Sequence, residues 1–158
     1  MTRRDSHGAR GFTIAELITV CAIIAVLAAV AMPVARFGLR RQKEVDLHDR
    51  ICRITDAIDR YHDLRLAGRI KDPESLGQGG YPKDLKDLVE GVELTDGTKV
   101  RFLRDRDLID PMTGEKEWTT LSTTDDPDTS STDGNNIFEI HSKSHGLALD
   151  GKTHYHEW

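Results

Sequence analysis

From Leu17 to Val34 the chain runs through eighteen residues whose only polar member is Thr19. Extended back to Phe12, the run is long enough to cross about 30 Å of hydrocarbon as a helix. The one charged residue inside the longer run is Glu16. Beyond Val34 the pattern changes. Leu47, Ile51, Ile54, Ile58 and Tyr61 recur at intervals of 4, 3, 4 and 3, one apolar stripe on a helix that also carries Asp46, Asp49, Arg50, Arg53, Asp56, Asp59 and Arg60. Such a stripe covers only two heptads, so it predicts packing on the chain's own domain rather than a coiled coil. Gly68 ends the pattern and Pro73 prevents its continuation. A continuous helix from Phe12 to Ala67 would have 56 residues and a length of about 84 Å at the standard rise.

After Gly68 the signals become short. Gly77, Gly79 and Gly80 mark a loop, and Tyr81 to Gly91 reads as a short helix with Pro82 near its start and glycine at its end. Lys99 to Leu103, Glu117 to Leu121 and Asn136 to His141 read as short strands, with turns at Asp96-Gly97 and Thr113-Gly114. The predicted fold class is α+β: a long N-terminal helix, half transmembrane and half amphipathic, packed on a small antiparallel sheet. No internal repeat is visible.

Composition sharpens this division. At 37% hydrophobic and 31% charged, the chain is leaner than the usual 45–50% apolar content of a soluble domain. Its apolar residues are therefore concentrated in one place, and 158 residues leave room for one anchor and one small head. The formal charge is −5; residues 1–11 hold Arg3, Arg4 and Arg10 against Asp5, so the remainder stands at −7. An acidic head argues against nucleic acid as a partner. Cys21 and Cys52 fall 31 residues apart in one predicted helix, about 46 Å along its axis, so they are not a disulfide and read as small apolar packing groups.

Glu16 is the anomaly in the apolar run. An ionised carboxylate inside a bilayer costs at least about 2.5–3.5 kcal/mol and usually has a partner, yet no basic residue lies between Phe12 and Ala35. Either the acid reaches the membrane face or its partner comes from elsewhere. Small residues crowd Ala25 to Ala31, which leaves ordinary signal cleavage near Ala31 as an alternative. Arg36, Arg40, Arg41 and Lys43 follow the apolar run, so the distribution of cations alone leaves its orientation ambiguous.

Gly11 followed by Phe12, then Thr13-Ile14-Ala15-Glu16-Leu17, a long apolar helix and Pro33, resembles the class III signal of type IV pilins and type II secretion pseudopilins. Tyr81-Pro82 before a Leu-rich helix, Asp110-Pro111-Met112-Thr113-Gly114 and Leu147-Ala148-Leu149-Asp150-Gly151 are similar to segments of the major pseudopilin. The resemblance implies a leader of residues 1–11, cut after Gly11 by a membrane prepilin peptidase that methylates the new amine of Phe12. It implies a transmembrane or filament-core helix over 12–35, a helical stem over 36–67 and a periplasmic head over 68–158. The amine on Phe12 of one copy would then meet Glu16 of the next, a pair that stabilises assembly in a dry helical core and sets its register. Pro33 removes a backbone donor near the outer end and loosens or kinks the helix.

The function so implied is a structural subunit polymerising with copies of itself into the periplasmic pseudopilus, alongside minor pseudopilins and an inner-membrane assembly platform. Its location would be the bacterial inner membrane, with the leader cytoplasmic and the head periplasmic. A type IV pilin for motility or DNA uptake is the alternative within assembly, although no C-terminal cysteine pair is present. A single-span protein with a ligand-binding head is the alternative outside it.

The resemblance also implies calcium, placed at Asp150 and Glu157, although the acidic glycine-rich continuation of the family is replaced by Lys152 to Trp158. A second acidic cluster holds Asp126 and Asp128 but fails the EF-hand pattern, with Ser131 at the sixth position and Ile137 at the twelfth. Among His141, His145, His154 and His156 there is no i, i+4 pair on a predicted helix with an acid between, the arrangement a zinc pair would use. No nucleophile elbow, phosphate loop or dinucleotide fingerprint points to an enzyme.

Overall fold

A computed structural model describes residues 11–71, 78–126, 129 and 134–158. The chain divides into two compact units, residues 1–39 and 40–158. One helix, α1 (Ile14–Leu66), contributes to both.

The helix begins where its sequence supplies a cap. Thr13 Oγ1 accepts from the Glu16 amide at 3.2 Å, and its carbonyl accepts from the Leu17 amide at 3.1 Å. Thr13-Ile14-Ala15-Glu16 is thus a Thr-x-x-Glu start that places Glu16 in the first turn, where the helix dipole favours an acid. At the other end Gly68, with φ 66°, donates to the Arg65 carbonyl at 2.9 Å while Arg69 donates to that of Leu64 at 3.0 Å. This pair of bonds closes the last turn on a left-handed glycine. The helix is two residues shorter at its start and one at its end than the expected Phe12–Ala67, and it remains helical through Pro33.

In the first unit, every residue from 11 to 39 is exposed. In the second, the stripe turns inward: Leu47, Ile54, Ala57, Ile58 and Tyr61 are buried and Ile51 packs beside them. They face Leu88, Leu103, Trp118 and Ile140 in one core. Full burial of one such aliphatic side chain is worth about 1.5–3 kcal/mol, so the stripe alone anchors the head to its stem.

The head begins with α2 (Leu85–Glu90), capped by the Asp84 carboxylate on the Lys86 amide. It ends at Gly91, φ 83°, where a Cβ would lie 2.4 Å from the Val100 carbonyl oxygen. Next come β1 (Val92–Glu93) and β2 (Lys99–Val100), paired antiparallel, then β3 (Trp118–Leu121) and β4 (Glu139–Ser142), with Trp118 opposite Ser142 and Leu121 opposite Glu139. The antiparallel sheet expected from sequence is therefore two separate two-stranded ribbons.

Two expected strands are trimmed for identifiable reasons. Phe102 and Leu103 turn their amides to the Leu88 carbonyl at 2.9 and 3.0 Å, closing the end of α2 instead of extending β2. Asn136 and Ile137 leave the β4 ladder because Ile137 donates to Pro82 O at 2.8 Å and the Asn136 side chain holds the Thr123 amide and hydroxyl. Pro73, Gly77, Asp128 and residues 1–10 lie outside the described residues.

Candidate functional site

The residues singled out for assembly lie on α1 and on the three non-helical residues before it. Phe12 is 78% exposed and Ile14 79%, and Leu17, Ile18, Ile23, Ile24, Val26, Leu27 and Val30 continue the same open apolar surface. This helix is long and apolar enough to cross a membrane, and none of its apolar span is buried by the chain itself. Glu16 is exposed and sits one helical turn from the N-terminal end, four residues after Phe12. An apolar surface of this extent cannot stay in water; lipid or other helices must cover it.

Cys21 and Cys52 are both free and exposed; Cys52 therefore does not pack inside the head, while Cys21 belongs to the open apolar surface of the first unit. Position 52 lies off the buried stripe, and its sulfur stands 3.9 Å from His48 Nε2.

Asp150 and Glu157 are each committed to a local turn. Asp150 Oδ1 accepts from the Lys152 and Thr153 amides at 2.8 and 3.0 Å, and Oδ2 from the Thr153 hydroxyl at 2.8 Å. These bonds, that from Lys152 first, hold its carboxyl below the ordinary 3.8. Glu157 Oε2 accepts from the His154 amide at 2.9 Å, closing the terminal turn Tyr155–Glu157. Asp126 is exposed, while its expected companion Asp128 is outside the described residues. His156 lies with its ring centroid 4.8 Å from that of His145 and 5.5 Å from that of His154. Among the described residues no group of three or more His, Cys, Asp or Glu is arranged to hold a metal ion.

Two polar arrangements escaped sequence reasoning. Glu44, on the stem, accepts from the Leu149 amide at 2.7 Å and from the Tyr155 hydroxyl at 2.9 Å, tying the C-terminal segment to α1. Burial pushes the Tyr155 phenol above its ordinary 10.0, and the Glu44 carboxylate adds to that shift. Partners 105 and 111 residues apart leave no local signal. Asp110, fully buried, accepts from the Met112 amide at 2.7 Å and the Ser142 hydroxyl at 2.6 Å. The Asp-Pro-Met-Thr-Gly segment thereby locks the end of β4.

A groove of about 300 Å³ lies in the second unit between the stem and the segment after β2, lined by Arg53, Asp56, Arg60, Phe102, Arg104 and Asp107. Asp107 is buried and paired with Arg50, with Arg53 3.9 Å away; Arg53 also bridges to Asp49 at 2.9 Å. Arg60 and Arg104 are exposed and form no ion pair among the described residues.

No family model, curated protein or solved structure matches the chain.

Proposed function

We propose that this chain is a structural filament subunit of the pseudopilin kind, processed between Gly11 and Phe12 and assembled through its N-terminal helix into the periplasmic pseudopilus of type II secretion. The observation that carries the reading is the wholly exposed apolar helix of the first unit, headed by Gly11-Phe12 and bearing a single acid, Glu16, one turn in.

The physical logic follows from those residues. Cleavage after Gly11 exposes an α-amine on Phe12, the cation that the apolar run otherwise lacks. In a bundle of such helices, the amine of an incoming copy neutralises Glu16 of its neighbour in a water-poor core, where an unpaired charge is penalised. Lipid-facing side chains exchange lipid for other helices, and packing rather than hydrophobic transfer drives that exchange. The leader stays cytoplasmic and the head periplasmic. The membrane prepilin peptidase, the assembly platform and minor pseudopilins are the partners in this reading, and nucleic acid is not. The reading does not depend on calcium; Asp150 and Glu157 each accept hydrogen bonds within a local turn. The same processing and assembly would serve a type IV pilin, which remains the second reading on the strength of the shared signal.

The first test is the intact mass and N-terminal residue of the protein from its native membrane. A chain beginning at N-methylated Phe12 supports the proposal; one beginning at Met1 or near Pro33 refutes it. Glu16→Ala then separates assembly from anchoring: membrane insertion is retained while filaments and higher crosslinked species fall away. Normal polymerisation of that variant would remove the pairing from the account.

A further inference from the structure

The C-terminal segment doubles back on itself. Leu147 and His154 pair across an antiparallel bridge, with Ala148 donating to the Thr153 carbonyl at 2.8 Å and Tyr155 to that of Gly146 at 3.1 Å. The Asp150 carboxylate fixes the turn between the two arms, and the Leu149 amide and Tyr155 hydroxyl tie one arm each to Glu44. Antiparallel pairing steps outward one residue on each side, so the Leu147–His154 bridge sets residue 145 opposite residue 156. Both are histidines. Their ring centroids lie 4.8 Å apart at an interplanar angle of 56°. Both residues are exposed, and neither side chain makes a hydrogen bond or ion pair among the described residues.

We infer that His145 and His156 form a two-imidazole clamp, across the arms of this hairpin, for a divalent transition-metal ion of the zinc or copper class. With zinc–nitrogen bonds of about 2.0–2.1 Å, two imidazoles meeting on one tetrahedral ion have ring centres about 5 Å apart. The observed 4.8 Å is that spacing without displacement of either arm. Neutral imidazole suits zinc, copper and nickel, whereas calcium and magnesium take oxygen ligands, and the Asp150 and Glu157 carboxylates are already engaged within their turns. The clamp is therefore chemically distinct from the calcium site suggested by sequence. His154 stands beside it, its ring centroid 5.5 Å from that of His156. Its Nδ1 donates to the His145 carbonyl at 3.0 Å, which braces the backbone that carries the first ligand. Among the described residues no third His, Cys, Asp or Glu completes the group, so water fills the remaining positions and the ion exchanges readily. Once held, it bridges the two arms and stiffens the hairpin that Glu44 fastens to the stem.

The test titrates the full chain in detergent with zinc and with copper(II) against a chromophoric chelator, in a Cys52→Ser background that removes the His48–Cys52 contact as a competing chelate. Copper(II) should bind more tightly than zinc, and calcium or magnesium in large excess should displace neither. His145→Ala and His156→Ala should each weaken binding by more than about tenfold. The double variant should lose no more than either single one, because the same ion is released in each case. A second readout needs no variant in the site: substoichiometric copper(II) should broaden the ring proton signals of His145 and His156 together, before those of His48, His62 and His141. Either single variant binding as the parent does, a double variant losing the product of the two single effects, or broadening that begins at another histidine overturns the clamp. Neither readout depends on filament assembly, so failure here leaves that reading standing.

Discussion

Glu44→Ala removes the acceptor that fastens the C-terminal segment to the stem. Two donors lose their partner together, the Leu149 amide at 2.7 Å and the Tyr155 hydroxyl at 2.9 Å. Hydrogen bonds to a charged group contribute about 1.5–3 kcal/mol each. Glu44 is only half-buried, so water repairs part of the loss and the low end applies, about 3 kcal/mol for the two. For a unit of this size that corresponds to roughly 10 °C in melting temperature. Glu44→Gln keeps a neutral acceptor and should lose about half as much. The assay is thermal unfolding of the full chain in detergent, followed in the near-ultraviolet, where Tyr155 and Trp158, packed edge to face at 5.5 Å between ring centroids, report the segment directly. A cycle with Tyr155→Phe should return a coupling of about 1 kcal/mol, because the two side chains share one bond. A Glu44→Ala protein melting within about 1 °C of the parent would refute the claim that this carboxylate holds the segment.

Gly91→Ala should be among the most damaging single substitutions in the head. A methyl group there collides with the Val100 carbonyl oxygen at 2.4 Å and the residue is held at φ 83°; a loss of more than about 3 kcal/mol is expected, and a melting temperature unchanged from wild type would contradict it. Asp150 should titrate below its ordinary 3.8, since the bonds from Lys152 and Thr153 favour its charged form. The stability it lends is present above that pH and fades as pH falls through the lowered value. Carboxyl NMR should show the low midpoint, and Thr153→Ala should move it up; a midpoint at or above 3.8 in the parent would sink the assignment. Glu16→Ala, by contrast, should leave head stability untouched, measured by the same melting experiment, because it lies outside residues 40–158.

Legibility followed the range of the interactions. The long helix and its buried stripe could be read because apolar periodicity is local, and Leu47, Ile54, Ile58 and Tyr61 are buried where the 4, 3, 4, 3 spacing puts them. Gly68 could be read for the same reason, being a cap whose bonds span only a few residues. The Thr13 to Glu16 cap is equally local, but in the sequence Glu16 reads equally as a charge in an apolar run and as the third residue of a helix. Strand ends were not legible. Phe102 and Leu103 continue a strand pattern, and only the proximity of the Leu88 carbonyl, set by the folded head, turns them away. β1 is two residues long and too short to carry a period of its own. The Glu44 to Tyr155 and Asp110 to Ser142 bonds depend on chain closure across 111 and 32 residues, which no spacing rule encodes.

The cap at Thr13 has a consequence for processing enzymes. Helix α1 starts at Ile14, and residues 11–13 are not helical, so the peptide bond between Gly11 and Phe12 lies outside the first turn. A protease works on extended backbone, so the processing proposed above would engage this bond without unwinding a single hydrogen bond of α1. The threonine acts as a stop that keeps the helix from creeping backward over the proposed cleavage point. A sequence that let the helix begin two residues earlier would bury that bond in a turn and make such cleavage wait on local unfolding.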